Sequence, residues 1–205
     1  MRAPSKRMTP ERRREHLIRV AIDIYGQVPP EQVTVDDVTR AADVSRALFY
    51  RYFPGLEQLH VAALGSIVAE MIERISMPAG GSVADQLRNA VEEFLGVVER
   101  HAAAYVALLR SGSVISTDRT DAIVDGVRDH IVALLRERAG ITDPSPLTLM
   151  TLRGWVALVE GASLTWLQER AVPRDELVTW LCDQLAAMLT VTSLRDGSSY
   201  PLARP

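Results

Sequence analysis

Between residues 45 and 52, the chain concentrates side chains that can donate hydrogen bonds. They are Ser45, Arg46, Tyr50, Arg51 and Tyr52. Hydroxyl and guanidinium groups of this kind donate to phosphate oxygens, and arginine also forms paired hydrogen bonds with the edge of guanine. The cluster holds no general base, carboxylate pair or metal ligand, so it indicates binding of a nucleic acid rather than catalysis. The alternative interpretation is an ordinary helical hairpin with a mixed surface.

Two short helices joined by a tight turn are predicted to present this cluster. Thr34 is a suitable N-cap, and Asp37 can return a hydrogen bond to the backbone of the cap, which is a variant of the capping box. Residues at helical spacing form an apolar stripe on the first helix: Val35, Val38 and Ala41 or Ala42. Asp43 stands where the chain must turn, Val44 fills the angle between the helices, and Ser45 is a second N-cap.

The second helix has a buried face and an open face. Phe49 and Phe53 are four residues apart and are predicted to point inward. The remaining positions point outward or toward the flanks: Arg46, Ala47, Leu48, Tyr50 and Arg51. An exposed Leu48 and Tyr50 favour a surface that a partner covers. The layout is that of a helix that enters a DNA major groove while the preceding helix braces it.

The stretch resembles the TetR family of bacterial transcriptional regulators. The resemblance rests on an amphipathic first helix, on residues 34–38, 42–46 and 48–54, and on Glu57 and Leu59 at the start of a long helix, and it covers residues 10–65. It implies that one set of side chains faces base edges: Ser45, Arg46, Ala47 and Leu48. It implies that a second set contacts phosphates: Thr34, Tyr50 and Tyr52.

Two positions depart from the family pattern. Asp43 stands where family members usually have glycine, and aspartate adopts the left-handed conformation less readily than glycine but better than most residues. Leu56 stands where lysine is common, so the resemblance implies one phosphate contact fewer.

Charge is distributed unevenly along the chain. Residues 1–52 hold ten basic and seven acidic residues, a net charge of +3, whereas the remainder carries −6. This asymmetry suggests that only the N-terminal end meets nucleic acid. The basic run Arg12–Arg14, with Lys6 and Arg7 before it, is interpreted as an arm and helix start that lie along the phosphates, the alternative being a solvated basic tail.

The rest of the chain predicts an all-α fold. A three-helix DNA-binding head with a helix-turn-helix (1–55) is joined by a long helix to a C-terminal helical ligand-binding and dimerisation domain (56–192), and residues 193–205 form a flexible tail. The long helix is expected at 56–75, and further helices near 83–100, 101–112, 118–139, 144–170 and 173–192.

The last two predicted helices are the most apolar and suggest a homodimer. The small residues Gly154, Gly161 and Ala162 would let a partner helix approach closely, and two such helices with their symmetry mates would form a four-helix seam. The alternative is that these faces contact only the middle helices of the same chain. A dimer also suits a palindromic operator, whose half-sites lie roughly 34–36 Å apart.

The family resemblance further implies a pocket for an unidentified small ligand of apolar or amphipathic character. The candidate lining residues are Met71, Phe94, Val98, His101, Tyr105, Leu109, Arg110, Trp155, Val159 and Leu164. His101 and Arg110 would supply polar anchors among apolar walls. The alternative, which is the stronger one for each residue taken alone, is that it is plain core.

Enzymatic and membrane functions find little support in the sequence. The four histidines are scattered, no phosphate-binding loop or nucleophile elbow is present, and no cofactor is expected. Asp118, Asp121, Asp125 and Asp129 form an acidic stripe that is interpreted as a solvated face. A single cysteine, the absence of a signal peptide and the absence of an apolar run near ~20 residues indicate a cytoplasmic protein.

These features lead to one hypothesis and one alternative. The hypothesis is a dimeric repressor that binds a palindromic operator and is released when a small molecule moves the helix at 56–75. The alternative is a helical protein whose C-terminal domain binds a protein partner or has an unrecognised activity, with a vestigial DNA-binding head.

Overall fold

The protein is all helical over the residues that the structure, a computed structural model, describes: 8–78, 80–109 and 118–202. The helices are α1 (Pro10–Tyr25), a short 3-10 helix (Pro30–Gln32), α2 (Val35–Ala41), α3 (Arg46–Tyr52), α4 (Leu56–Ser76), α5 (Val83–Arg100), α6 (Ala102–Leu109), α7 (Asp118–Arg138), α8 (Pro146–Glu169) and α9 (Arg174–Asp196). The predicted fold class is confirmed. The predictions made for Lys6, Arg7 and Arg110 lie outside the described residues.

The chain forms two compact units. The first contains Met1–Ile67 and His101–Thr120, and the second contains Val68–Arg100 and Asp121–Pro205. The helix α4 therefore contributes its first part to one unit and its second part to the other. The unit that holds the predicted head extends beyond residue 55 because Leu59 and Ala63 of α4 complete its core and Ala104 of α6 packs against that core.

The core of the first unit is built from the apolar faces of four helices. Its most deeply buried side chains are Leu17, Ala21, Val38, Phe49, Phe53 and Leu59. Their helical spacing within α1 and α3 is what places them on one face of each helix. Besides this core, α6 contacts α1 and the 3-10 helix within the same unit.

In the second unit, α9 packs along both α5 and α8. The indole of Trp155 on α8 donates to the carbonyl oxygen of Leu181 on α9, at 2.9 Å. About one turn earlier on α8, the hydroxyl of Thr151 lies 2.6 Å from that of Thr192, which is nearer the C-terminal end of α9 than Leu181, so the two helices run antiparallel.

The C-terminal end of α4 is held by polar contacts from α5 and α7. Arg138 donates to the carbonyl oxygens of Ile75 and Met77, at 2.9 and 3.2 Å. These are carbonyls that a helix end leaves without an intrahelical partner. Ser76 Oγ lies 3.1 Å from His130 Nε2, and Arg74 pairs with Glu93 of α5 at 3.1 Å.

The predicted end of the last helix at residue 192 is wrong. The helix α9 continues to Asp196 and ends at Gly197, whose φ of 74° is the left-handed conformation that glycine adopts readily. Tyr200 is buried and hydrogen-bonds the hydroxyl of Thr148 on α8. A hydrogen bond from Ser145 lowers the pKa of Asp196 to about 2. Contacts with α8 therefore order a segment whose composition favours disorder.

The prediction that no segment is long and apolar enough to span a bilayer is also wrong, because α9 meets that test by length and composition. Its apolar residues do not share one face. Leu181 and Leu185 are buried, whereas Val191 and Leu194 are exposed. The core helices of soluble proteins pass the same test.

Candidate nucleic-acid interface

The turn between α2 and α3 depends on Asp43, which has a φ of 51°. This is the left-handed conformation predicted for the position that glycine usually occupies in this motif. The turn is closed by hydrogen bonds from the N–H of Asp43 to the carbonyl of Arg40, at 3.3 Å, and from Val44 to Thr39, at 3.0 Å. These bonds satisfy the carbonyls at the end of α2 and direct the chain into α3.

Thr34 and Asp37 form the predicted capping box at the start of α2. The Asp37 N–H donates to Thr34 Oγ1 at 3.2 Å, and the Thr34 N–H donates to Asp37 Oδ2 at 3.0 Å. The Thr34 hydroxyl donates to the same carboxylate oxygen, and these bonds lower the pKa of Asp37. A contact between Thr34 and a phosphate would therefore compete with the cap.

The two faces of α3 separate as predicted except at Leu48, which was expected to be exposed. Phe49 and Phe53 are completely or almost completely buried, and their ring centroids lie 6.0 Å apart. Ser45, Arg46, Ala47, Tyr50 and Arg51 are exposed, and Leu48 and Tyr52 are half-buried. Ser45 Oγ caps the helix by accepting from the N–H of Leu48 at 3.2 Å. An open row of hydroxyl, guanidinium and phenol groups thus stands on a rigid apolar base.

Arg46 does not stand alone on this surface. Its Nε lies 3.4 Å from Oδ1 of Asp36, and both side chains are more than half exposed. The pair joins α2 to the first residue of α3. Periodicity within either helix could not reveal it, because the two residues belong to different helices whose packing sets their separation.

The helix α1 braces the motif through two contacts that sequence analysis missed. The guanidinium of Arg14 lies over the ring of Phe53, 5.0 Å from its centroid. His16 Nε2 lies 3.2 Å from the carbonyl oxygen of Ala42, at the end of α2. Arg14 therefore has a packing role in addition to the role in the basic arm that the sequence suggested.

The predicted ligand-lining residues are distributed over both units. Met71, Phe94, Val98, Trp155 and Val159 belong to the second unit and are buried there, and Leu164 is half-buried. His101 and Tyr105 belong to the first unit and are half-buried, and Leu109 is the last residue of α6. The site that these residues were predicted to form stays a prediction.

An open cavity of about 410 Å³ lies along α8 and α9 in the second unit. It is lined mainly by apolar side chains, among them Leu158, Trp166, Leu177 and Trp180. None of the predicted ligand-lining residues borders it. Two of its lining positions, Gly161 and Ala162, are instead small residues from the predicted dimer seam.

Within the described part of the chain, no group of three or more metal-ligating side chains lies close enough to hold a metal ion. Two members of the acidic stripe are in ion pairs: Asp125 with Arg128 at 2.9 Å and Asp129 with Arg153 at 3.8 Å. Burial raises the pKa of the Cys182 thiol to about 11, which favours the unreactive thiol over the thiolate.

A helix-turn-helix with an exposed, hydrogen-bonding second helix defines a DNA-binding protein, and comparison with known proteins agrees with this class. Residues 17–63 match the family model for bacterial regulatory proteins of the tetR family, and residues 83–188 match the model for tetracyclin repressor-like C-terminal domains. A comparison with curated proteins found no match.

Solved structures show the same fold over most of the chain. A tetR-family transcriptional regulator from Streptomyces coelicolor is 33% identical, with a TM-score of 0.88 over 93% of this chain and 86% of that one. A TetR-like regulator from Rhodococcus sp. RHA1 is 18% identical, with a TM-score of 0.68 over 89% and 98%. The FadR regulator from Bacillus subtilis, solved with stearoyl-CoA, is 16% identical, with a TM-score of 0.65 over 83% and 96%. The chain belongs to the TetR family and is a DNA-binding transcriptional regulator.

Proposed function

We propose that the protein is a cytoplasmic, homodimeric repressor that binds a palindromic operator through α3 and is released by a small apolar or amphipathic molecule. The observation that carries the proposal is the open face of α3, where Arg46, Tyr50 and Arg51 are exposed over the buried Phe49 and Phe53. Exposed donors on a rigid helix can reach base edges and phosphates without reorganisation of the core.

The proposed DNA contacts are of two kinds, those with base edges and those with phosphates. Ser45, Arg46, Ala47 and Leu48 at the N-terminal end of α3 face the base edges. Tyr50 and Tyr52 contact phosphates, as does Thr34 where a phosphate displaces the bond from its hydroxyl to Asp37, and the exposed Arg51 adds positive charge on α3. The short side chains of Ser45 and Ala47 allow the helix to approach the floor of the groove, where Arg46 can form paired hydrogen bonds with guanine.

The homodimer is formed by the outer faces of α8 and α9. Large apolar side chains stand exposed there, with 69% of Met150, 61% of Val191 and 81% of Leu194 accessible. A Cβ added at Gly161 would meet no atom within 4 Å, and one added at Gly154 would meet only Met188, at an ordinary 3.7 Å. Packing within the chain therefore does not require glycine at either position, which favours the close approach of a partner helix.

The releasing ligand binds within the second unit, among the predicted lining residues that belong to it: Met71, Phe94, Val98, Trp155, Val159 and Leu164. Apolar walls with few polar groups suit an amphipathic molecule. The FadR structure with stearoyl-CoA shares this fold, at 16% identity. The helix α4 belongs to both compact units, so a ligand that binds one arrangement of α4 more tightly than the other would change operator affinity by that difference.

Selection of bound sequences from a random DNA pool tests the proposal. The purified protein at near-physiological salt is expected to recover an inverted repeat. The logarithm of the binding constant for this repeat should fall linearly with the logarithm of the salt concentration, with a slope set by the number of phosphate contacts. Recovery of no sequence above background, together with salt-independent behaviour, would contradict the proposal and favour a C-terminal domain that works without the head.

A further inference from the structure

The geometry points to Asp36 as a positioning residue that holds the guanidinium of Arg46 in the orientation needed to read one guanine in each half-site. This inference rests on the proposed function, because it assigns a role within the DNA contact of α3. Asp36 itself would not touch a base.

The contact between the two residues is made by the inner nitrogen of the guanidinium. Arg46 Nε is the atom that lies 3.4 Å from Asp36 Oδ1. The two terminal nitrogens form the fork that pairs with O6 and N7 of guanine, and a carboxylate beside Nε leaves that fork available. Arg46 is the first residue of α3, immediately after the Ser45 cap. The guanidinium therefore extends from the N-terminal end of the helix, which is the end that contacts base edges in this motif.

The position of the pair suits recognition better than folding. The side chains of Arg46 and Asp36 are 61% and 56% exposed, and ion pairs with this exposure contribute little to stability. The angle between α2 and α3 is already set by Asp43, by the bond from Val44 to Thr39 and by the buried Phe49. The arginine of α2, Arg40, pairs within its own helix with Asp37 at 3.7 Å and does not span the turn.

A carboxylate beside the DNA is otherwise unfavourable. It repels phosphates and reduces the positive charge of the reading surface. The carboxylate favours binding in one way: it orders the long side chain of Arg46 beforehand, so less conformational entropy is lost when the complex forms. The charge repulsion weakens binding to all DNA sequences alike, whereas the ordering of Arg46 strengthens binding only to sequences with guanine opposite this residue.

The test compares four variants on the selected operator: Asp36→Asn, Arg46→Ala, the double variant, and Asp23→Asn as a control. Asp23 is an exposed acid on α1, so its substitution makes the same change of charge elsewhere in the head. The readout is competition binding against operators with each of the four bases at every half-site position. Thermal unfolding checks that each variant is folded.

Asp36→Asn is expected to reduce the preference for guanine about two- to fivefold at a single position, the same position that Arg46→Ala affects, because an exposed ion pair orders the arginine only weakly. Asp23→Asn should leave every base preference unchanged and strengthen binding to all sequences slightly. In the Arg46→Ala background, Asp36→Asn should change no base preference, because its effect passes through Arg46.

Two results would overturn the inference. One is an Asp36→Asn variant with the base preferences of Asp23→Asn, which would make Asp36 only a local charge. The other is a loss of preference that persists without Arg46. Either result leaves the proposed function intact, since that function is contradicted by a wild-type protein that recovers no sequence above background and behaves independently of salt.

Discussion

The imidazole of His60 on α4 packs edge-on against the ring of Tyr25 at the end of α1, with 5.4 Å between the ring centroids. Both residues are buried within the first compact unit. Neither His60 Nε2 nor the Tyr25 hydroxyl has a hydrogen-bond partner among the described residues. Burial lowers the pKa of His60 from its ordinary value of 6.5, which means that the core of the head favours the neutral imidazole.

This burial predicts a pH dependence of stability. Because the folded-state pKa of His60 is lowered, the unfolded chain takes up a proton first as pH falls. The contribution to the free energy of unfolding is complete above pH 6.5 and is lost as pH falls through the lowered pKa. Urea unfolding between about pH 5 and 8 should show this loss in the wild type and a smaller one in His60→Phe. The variant His130→Gln, which retains His60, should keep most of the wild-type dependence.

Phe49→Ala tests the apolar base of α3. Phe49 has no exposed surface, so the substitution should lower the free energy of unfolding by about 3–5 kcal/mol and abolish operator binding together with the fold of the head. The neighbouring Tyr50→Ala removes a ring that is 49% exposed and should cost little stability while it weakens DNA binding. Equal destabilisation by the two substitutions would contradict the assigned faces of α3.

Tyr50→Phe isolates one proposed phosphate contact. Loss of a phenol that binds a phosphate should weaken binding to operator and random DNA by the same factor, within about tenfold, because the contact carries no sequence information. Affinity for both DNAs measured in parallel checks this. A loss confined to the operator would place Tyr50 on a base edge instead.

Arg138→Gln tests the hold on the end of α4. Two carbonyl acceptors lose a charged donor, so the free energy of unfolding should fall by about 1–2 kcal/mol. The control Arg153→Gln removes an exposed arginine from an ion pair at 3.8 Å and should change stability by less than about 0.5 kcal/mol. If the two variants unfold alike in denaturant, the contacts of Arg138 do not stabilise α4.

Leu194→Asp tests the proposed dimer face. A charge placed in an apolar interface without a partner should raise the dimer dissociation constant by at least about 100-fold, whereas the monomer keeps its helices because 81% of Leu194 is exposed. Sedimentation analysis with circular dichroism measures both. Met77→Asp substitutes another exposed apolar residue, outside α8 and α9, and should leave the dimer unchanged. A dimer that survives Leu194→Asp would place the interface elsewhere.

The sequence by itself determined the parts of the head that depend on neighbours a few residues away. The capping box of Thr34 and Asp37, the cap at Ser45, the left-handed Asp43 and the inward Phe49 and Phe53 all appear as predicted. Caps, turns and helix faces are decided within one or two turns of chain, so residue type and spacing are sufficient to predict them.

Only the tertiary structure determined the contacts between residues that are far apart in sequence. The pairing of Asp36 with Arg46, the support of Phe53 by Arg14 and the extension of the head to Ile67 each require two helices to be packed first. The burial of Tyr200 shows the same dependence in a segment whose composition favours a flexible tail. Such contacts carry no periodic signal, because their geometry is set by the packing of helices that are far apart in sequence, and only the folded chain brings them together.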